Sequence, residues 1–167
     1  MTPRLPSSKA ERWRNPSMPP ASRSRAKRKG SPIQVLFVAG FGPIVSDLEA
    51  SRALYVGALG IRFKEMDGGY AHTEDLDGAK AFALWPLSQA AESCFGAPEW
   101  PSSVPRPQAW LEFDVEDISA ATAALAGEGY RLLVAARKEP WGQTVTRFLS
   151  PEGILVAITH TPWMRPK

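Results

Sequence analysis

The chain repeats itself. Val45-Ser46-Asp47-Leu48 returns 70 residues later as Val115-Glu116-Asp117-Ile118. Ala50 and Ala53 return as Ala120 and Ala123, and after one deletion Gly60 meets Gly129. Each copy presents a β-rich run, then an Asp that can cap a helix, then a glycine stop. Three further strand-like runs follow each glycine. In the first copy they are Ile61–Met66, Tyr70–Glu74 and Lys80–Trp85; in the second, Tyr130–Ala135, Gln143–Leu149 and Ile154–Thr159. Each run carries period-2 apolar patterning between turn residues. Two tandem copies account for the 167 residues, because a single βαβββ unit has one helix and leaves a sheet face bare. The expected fold is α+β: two βαβββ modules whose curved sheets enclose a shared cavity, the place for a ligand.

The boundaries follow from composition. Residues 1–32 hold nine Lys/Arg against one acid and six of the sixteen prolines, whereas residues 33–167 hold eleven basic and sixteen acidic residues. Residues 1–31 therefore read as a disordered basic tail, with too little apolar surface to offset the entropy of ordering. Its run Arg23–Lys29 offers charge to nucleic acid or an anionic surface, but that alone argues weakly for either, and an accessory protein engaging a partner through the tail is a third class of function. Residues 32–95 form the first module and 109–162 the second. Residues 96–108, with four prolines, read as a linker, and 163–167 as a short C-terminal tail.

In the first helix Leu48, Ser51, Tyr55 and Leu59 share a face, capped by Ser46 or Asp47, with Glu49 placed to complete a capping box. In the second, Ile118, Ala121 and Leu125 point inward. The lone Cys94 excludes a disulfide framework and a thiolate metal cluster. No run is long and apolar enough to span a bilayer. The absence of an apolar leader argues against export, so a cytoplasmic protein is expected.

Val45-Ser46-Asp47-Leu48-Glu49-Ala50-Ser51 with Tyr55 and Leu59-Gly60 resembles the first-helix signature of the vicinal-oxygen-chelate superfamily, which includes glyoxalase I, extradiol dioxygenases and bleomycin-resistance proteins. Pro140-Trp141-Gly142 and Phe148-Leu149-Ser150-Pro151-Glu152-Gly153 resemble its second-module pattern, with Ser150 and Ile154 departing from the usual Asp and Asn. The resemblance implies metal ligands at four places. A His stands seven residues before each capping Asp, and a Glu four residues after the glycine opening each last strand. Mapped here, those places are Gly40, Trp110, Phe82 and Ala157, none with a donor for a divalent ion. No metal and no cofactor are therefore expected.

Strand alternation then gives the cavity wall. With Trp110 inward, Glu112 and Asp114 follow it, and Leu155, Ala157 and Thr159 join them. Gln143, Val145 and Arg147 face the same way, and Trp141 stands at the mouth. The expected ligand-binding set is thus Phe82, Trp110, Glu112, Trp141, Gln143, Arg147 and Ala157, with Arg147 paired to Glu112 across the sheet. Such a wall suits a small, partly aromatic ligand. The resemblance points to sequestration of an antibiotic-like molecule by a homodimer. The alternative is a metal-free lyase or isomerase using Glu112 or His72 as its base.

Overall fold

The computed structural model describes residues 33–166; the disordered tail expected at 1–31 lies outside them. The first module runs β1 (Val35–Val45), α1 (Leu48–Arg52), β2 (Lys64–Glu65), β3 (Ala71–Thr73) and β4 (Phe82–Pro86). After α2 (Leu87–Phe95), the second runs β5 (Ala109–Val115), α3 (Ile118–Gly127), β6 (Leu132–Lys138), β7 (Thr144–Leu149) and β8 (Leu155–His160). The eight strands of the described residues form one sheet in the order β2-β3-β4-β1-β5-β8-β7-β6. Within each module the first and last strands pair in parallel, β1 with β4 and β5 with β8. The modules meet along β1 and β5, antiparallel, with Phe41 opposite Leu111. Those two residues are 70 apart, so the axis relating the repeats passes through their pair.

The capping aspartates act alike. Asp47 Oδ1 accepts from Ala50 N at 2.9 Å, and Asp117 Oδ1 from Ser119 N and Ala120 N, each at 2.9 Å. Asp47, rather than Ser46, is the first helix's cap. The helix faces differ from expectation at one place. Leu48 and Tyr55 pack onto Val45, Phe82 and Leu84, but Leu59 is exposed. The reason is a π-helical turn, Ala53–Ala58, in which Leu59 N bonds Leu54 O at 2.9 Å, five residues back. That wider turn rotates Leu59 outward and lets Ile61 take the inward place. In the second module Ala121 and Leu125 pack as expected, with Val115, Phe148, Val156 and Ile158, and Ile118 lies against them.

Both helical layers lie on one face of the sheet. The other face is covered by α2 and by the segment after it. Ala90, Ala91 and Cys94 pack with Ile44, Ala83, Trp110 and Leu155, and Trp100 and Val104 join the same cluster. The segment 96–108 is therefore tied to the core through Trp100 and Val104 rather than being a free linker. Trp100 is 9% exposed, and its indole donates to the carbonyls of Val104 at 3.1 Å and Pro105 at 3.2 Å. The indole N–H thus satisfies acceptors in a stretch whose prolines donate nothing.

Candidate functional site

Register fixes which residues share the face opposite the helices. One row across the sheet reads His72, Ala83, then Gly42, Trp110, Leu155 and Leu149. The adjacent row reads Gly40, Glu112, Ala157 and Arg147. Six of the seven expected wall residues belong to this face or its rim. Phe82 does not: it lies on the helix side, its ring 5.4 Å from Phe41, 5.8 Å from Tyr55 and 5.9 Å from Phe63. The position matching Ala157 is Ala83. Phe41 pairs with Phe82 where its repeat partner Leu111 pairs with Val156, so Phe82 matches Val156 and Ala83 matches Ala157. Gly40, Trp110, Ala83 and Ala157 still provide no oxygen, imidazole or thiolate donor. The donor chemistry does not fit the metal ion that the fold's metal-dependent relatives would require.

The centre of this face is filled by Trp110, 5% exposed. A Cβ on Gly40 would lie 2.8 Å from the indole Cη2, so the missing side chain there is what admits the ring. The Trp85 ring stands edge-on to Trp110 at 5.8 Å, and the Arg147 guanidinium lies over Trp85 at 5.4 Å. Trp85 and Arg147 belong to strands four places apart, β4 and β7. Their contact links the first module to the second beside the central indole.

Arg147 is 2% exposed, and its ion-pair partner is not Glu112. Ala157 stands between those two in the row, a separation of about 9.6 Å at two strand spacings. Arg147 Nη1 instead meets Glu139 Oε1 at 2.8 Å, and Arg137 Nη2 reaches the same oxygen at 2.7 Å. The turn Glu139–Gly142 delivers that carboxylate: Glu139 N bonds Gln143 O at 2.7 Å and Gly142 N bonds Glu139 O at 2.9 Å. Burial alone would push the Glu139 carboxyl up. The hydrogen bonds and charges of the two arginines outweigh it and hold the carboxyl below the usual range.

Glu112, half-buried, belongs to a polar run that reaches solvent. Trp141 Nε1 donates to Gln143 Oε1 at 3.0 Å, and Gln143 Nε2 donates to Glu112 Oε2 at 3.2 Å and Thr161 Oγ1 at 3.1 Å. Trp141 is 56% exposed, whereas Gln143 is buried. Burial pushes the Glu112 carboxyl above its ordinary value, and the charge of Arg147 and the Gln143 hydrogen bond only partly reverse this. Tyr70, on the first module, has its hydroxyl pushed up by burial and by the charges of Glu112 and Glu74. Its ring stacks on His72 at 5.8 Å, and His72 Nδ1 is buried without a hydrogen-bond partner among the described residues. Burial also pushes the Cys94 thiol up, to about 11, which makes it a poor nucleophile.

Sequence reading missed Glu139, Thr161, Trp85 and Tyr70. Tyr70 and Trp85 were readable in principle, since each stands an even number of residues from a position on this face. Glu139 and Thr161 lie outside the strands that alternation describes.

The raised Glu112 carboxyl carries a pH signature. A group held above its unfolded value stabilises the fold fully below that value, about 4.3 for glutamate, and loses the contribution as pH rises through the folded value. Glu112→Gln should therefore be more stable than wild type at neutral pH, with the gap closing in acid. Urea midpoints from pH 4 to 8 measure it, and a gap that widens toward acid would overturn the role given to burial.

Among the described residues, no group of three or more His, Cys, Asp or Glu could hold a metal ion, and no helix is long and apolar enough to cross a membrane. The chain matches no curated protein. Among solved structures it is similar to a hypothetical protein from Bacillus halodurans C-125, at 15% identity and TM-score 0.51, over 78% of this chain and 96% of that one. It is also similar to methylmalonyl-CoA epimerase from Mycobacterium tuberculosis, at 19% identity and TM-score 0.50, over 82% and 96%. A glyoxalase/bleomycin resistance protein/dioxygenase superfamily member from Vibrio splendidus 12B01 aligns at 19% identity and TM-score 0.49, over 77% and 99%. These likenesses concern the fold. The family model matches residues 41–158, from the strand before the first helix into the last strand. The chain belongs to the Glyoxalase/Bleomycin resistance protein/Dioxygenase superfamily.

Proposed function

We propose that this protein binds a small, partly aromatic molecule without a metal ion, at the rim where Trp141, Gln143 and Glu112 meet. The observation that carries the reading is their hydrogen-bonded run, from an exposed indole to a buried amide to a half-buried acid. An exposed indole offers a stacking face, and the amide and carboxyl give a ligand orientation. Trp110, Ala157 and Arg147 form the floor behind them. Sequestration of an antibiotic-like molecule, by a homodimer in the cytoplasm, is the physiological form of this reading. A second reading is favoured by Glu112 itself: a partly accessible acid with raised proton affinity suits a general base, in a metal-free lyase or isomerase.

Native mass spectrometry of freshly purified protein separates these. A co-purifying molecule recovered unchanged supports binding, turnover supports the enzyme, and the same spectrum reads the oligomer. Trp141→Ala should weaken binding of the recovered molecule about tenfold, through lost stacking and buried area. Plasma mass spectrometry of dialysed protein should find far less than one equivalent of Zn, Fe, Ni or Mn, and chelator should leave the melting temperature unchanged. A stoichiometric metal would sink both readings.

A further inference from the structure

We propose that a notch beside the first half of β1 is a second binding site, for a small apolar molecule carrying one anionic group, such as an aryl carboxylate. β1 is 11 residues long, but its pairing with β4 begins only at Phe41. The last contact before the strands part is Phe41 N to Ala81 O at 3.3 Å. The wedge they leave is a hollow of about 470 Å³, lined by Phe37, Val38, Phe41, Gly78, Ala79 and Lys80. That volume lies within the range of small-molecule pockets, roughly 300–1,000 Å³. None of the rim residues Glu112, Trp141 or Gln143 lines it, so the hollow is separate from the rim site.

Three features select the ligand. First, the register of β1 against β5 breaks twice here, between Val35 and Phe37 and between Val38 and Gly40. Such breaks re-aim side chains, and Val38 and Phe41 remain 42% and 38% exposed although β1 is a central strand. Second, Phe37 and Phe41 give the hollow aromatic walls, which favour a flat ring. Third, among the described residues the cation at the hollow has only neutral partners. Lys80 Nζ lies 5.0 Å from the Phe37 ring centroid and 3.3 Å from Met164 O. Among the described residues no carboxylate forms an ion pair with it, and no acid lines the hollow. An ammonium has three donors, and no described carboxylate takes one, so a bound anion would supply a counter-charge that the described residues do not.

The probe is 2-naphthoate, with neutral 2-naphthalenemethanol as its control, titrated into the full chain by calorimetry and amide NMR. Naphthoate should shift the amides of Phe37, Val38, Gly78 and Ala79. Lys80→Met keeps the stem and removes the charge. It should weaken naphthoate about fivefold, as loss of an exposed charge pair does, and leave the alcohol unchanged. Val38→Asp sets a like charge in an exposed place and should abolish naphthoate binding while the fold is retained. Shifts confined to Glu112, Gln143 and Trp141, no binding at millimolar probe, or equal affinity in Lys80→Met would each overturn the proposal.

Discussion

Trp110→Ala should lower stability by about 3–5 kcal/mol, the range for removing a large aromatic side chain from a packed core. The indole is 5% exposed and is packed with Ile44, Ala83 and Leu155, and Trp85 stands edge-on to it. Gly40 gives the sharper test. A methyl group added there would sit 2.8 Å from the indole, so Gly40→Ala overpacks the wild-type core and should cost about 1–3 kcal/mol. With Trp110 already replaced by alanine, the same methyl meets only Ala81 Cβ at 3.6 Å, an ordinary contact, and should cost almost nothing. Denaturant unfolding of the two single variants and the double variant measures this coupling. Additive losses would show that Trp110 does not rest on Gly40. If Trp110→Ala also leaves the affinity of the co-purifying molecule unchanged, the indole is core filler and binding is confined to the rim.

The repeat was legible because each module needs the same local devices: an aspartate to satisfy helix N–H groups and a glycine to stop the helix. Those devices show in single residues, so Asp47 with Asp117 and Gly60 with Gly129 revealed the architecture. The four ligand positions were less legible. The ligand rule counts four residues from the glycine before each last strand, Gly78 and Gly153, and so assumes equal turns, yet strand pairing sets Phe82 against Val156, one residue out of step. A shift of one residue turns a side chain to the other face, which put Phe82 among the helix contacts. Leu59 failed for a related reason, since a 3.6-residue period has no way to announce a π turn.

The segment 96–108 shows a different limit. Proline content reads as linker because proline breaks regular structure, but it says nothing about burial. Trp100 and Val104 pack into the core without helix or strand around them. The polar side of the site was half legible for the same reason. Alternation places Glu112, Gln143 and Arg147 on one face, but Glu139 comes from a turn, whose reach only the folded backbone sets.

That turn decides the second large effect. Glu139→Gln should destabilise the fold by about 3 kcal/mol, because it leaves the Arg147 charge buried without a counter-ion. Arg147→Met should cost less. The carboxylate keeps Arg137, whose side chain is 42% exposed, and a methionine can still pack against Trp85. The double variant should then be more stable than Glu139→Gln alone, since it removes the stranded charge. The pH dependence runs opposite to that of Glu112. The Glu139 carboxyl is held below its ordinary range, so its contribution is complete above about pH 4.3 and is lost as pH falls through its folded value. Wild type and Glu139→Gln should therefore converge in acid. Thermal or urea unfolding of the three variants, repeated between pH 3 and 7, tests both claims. An Arg147→Met loss larger than that of Glu139→Gln would mean that Arg147 contributes through packing on Trp85 and not through its charge.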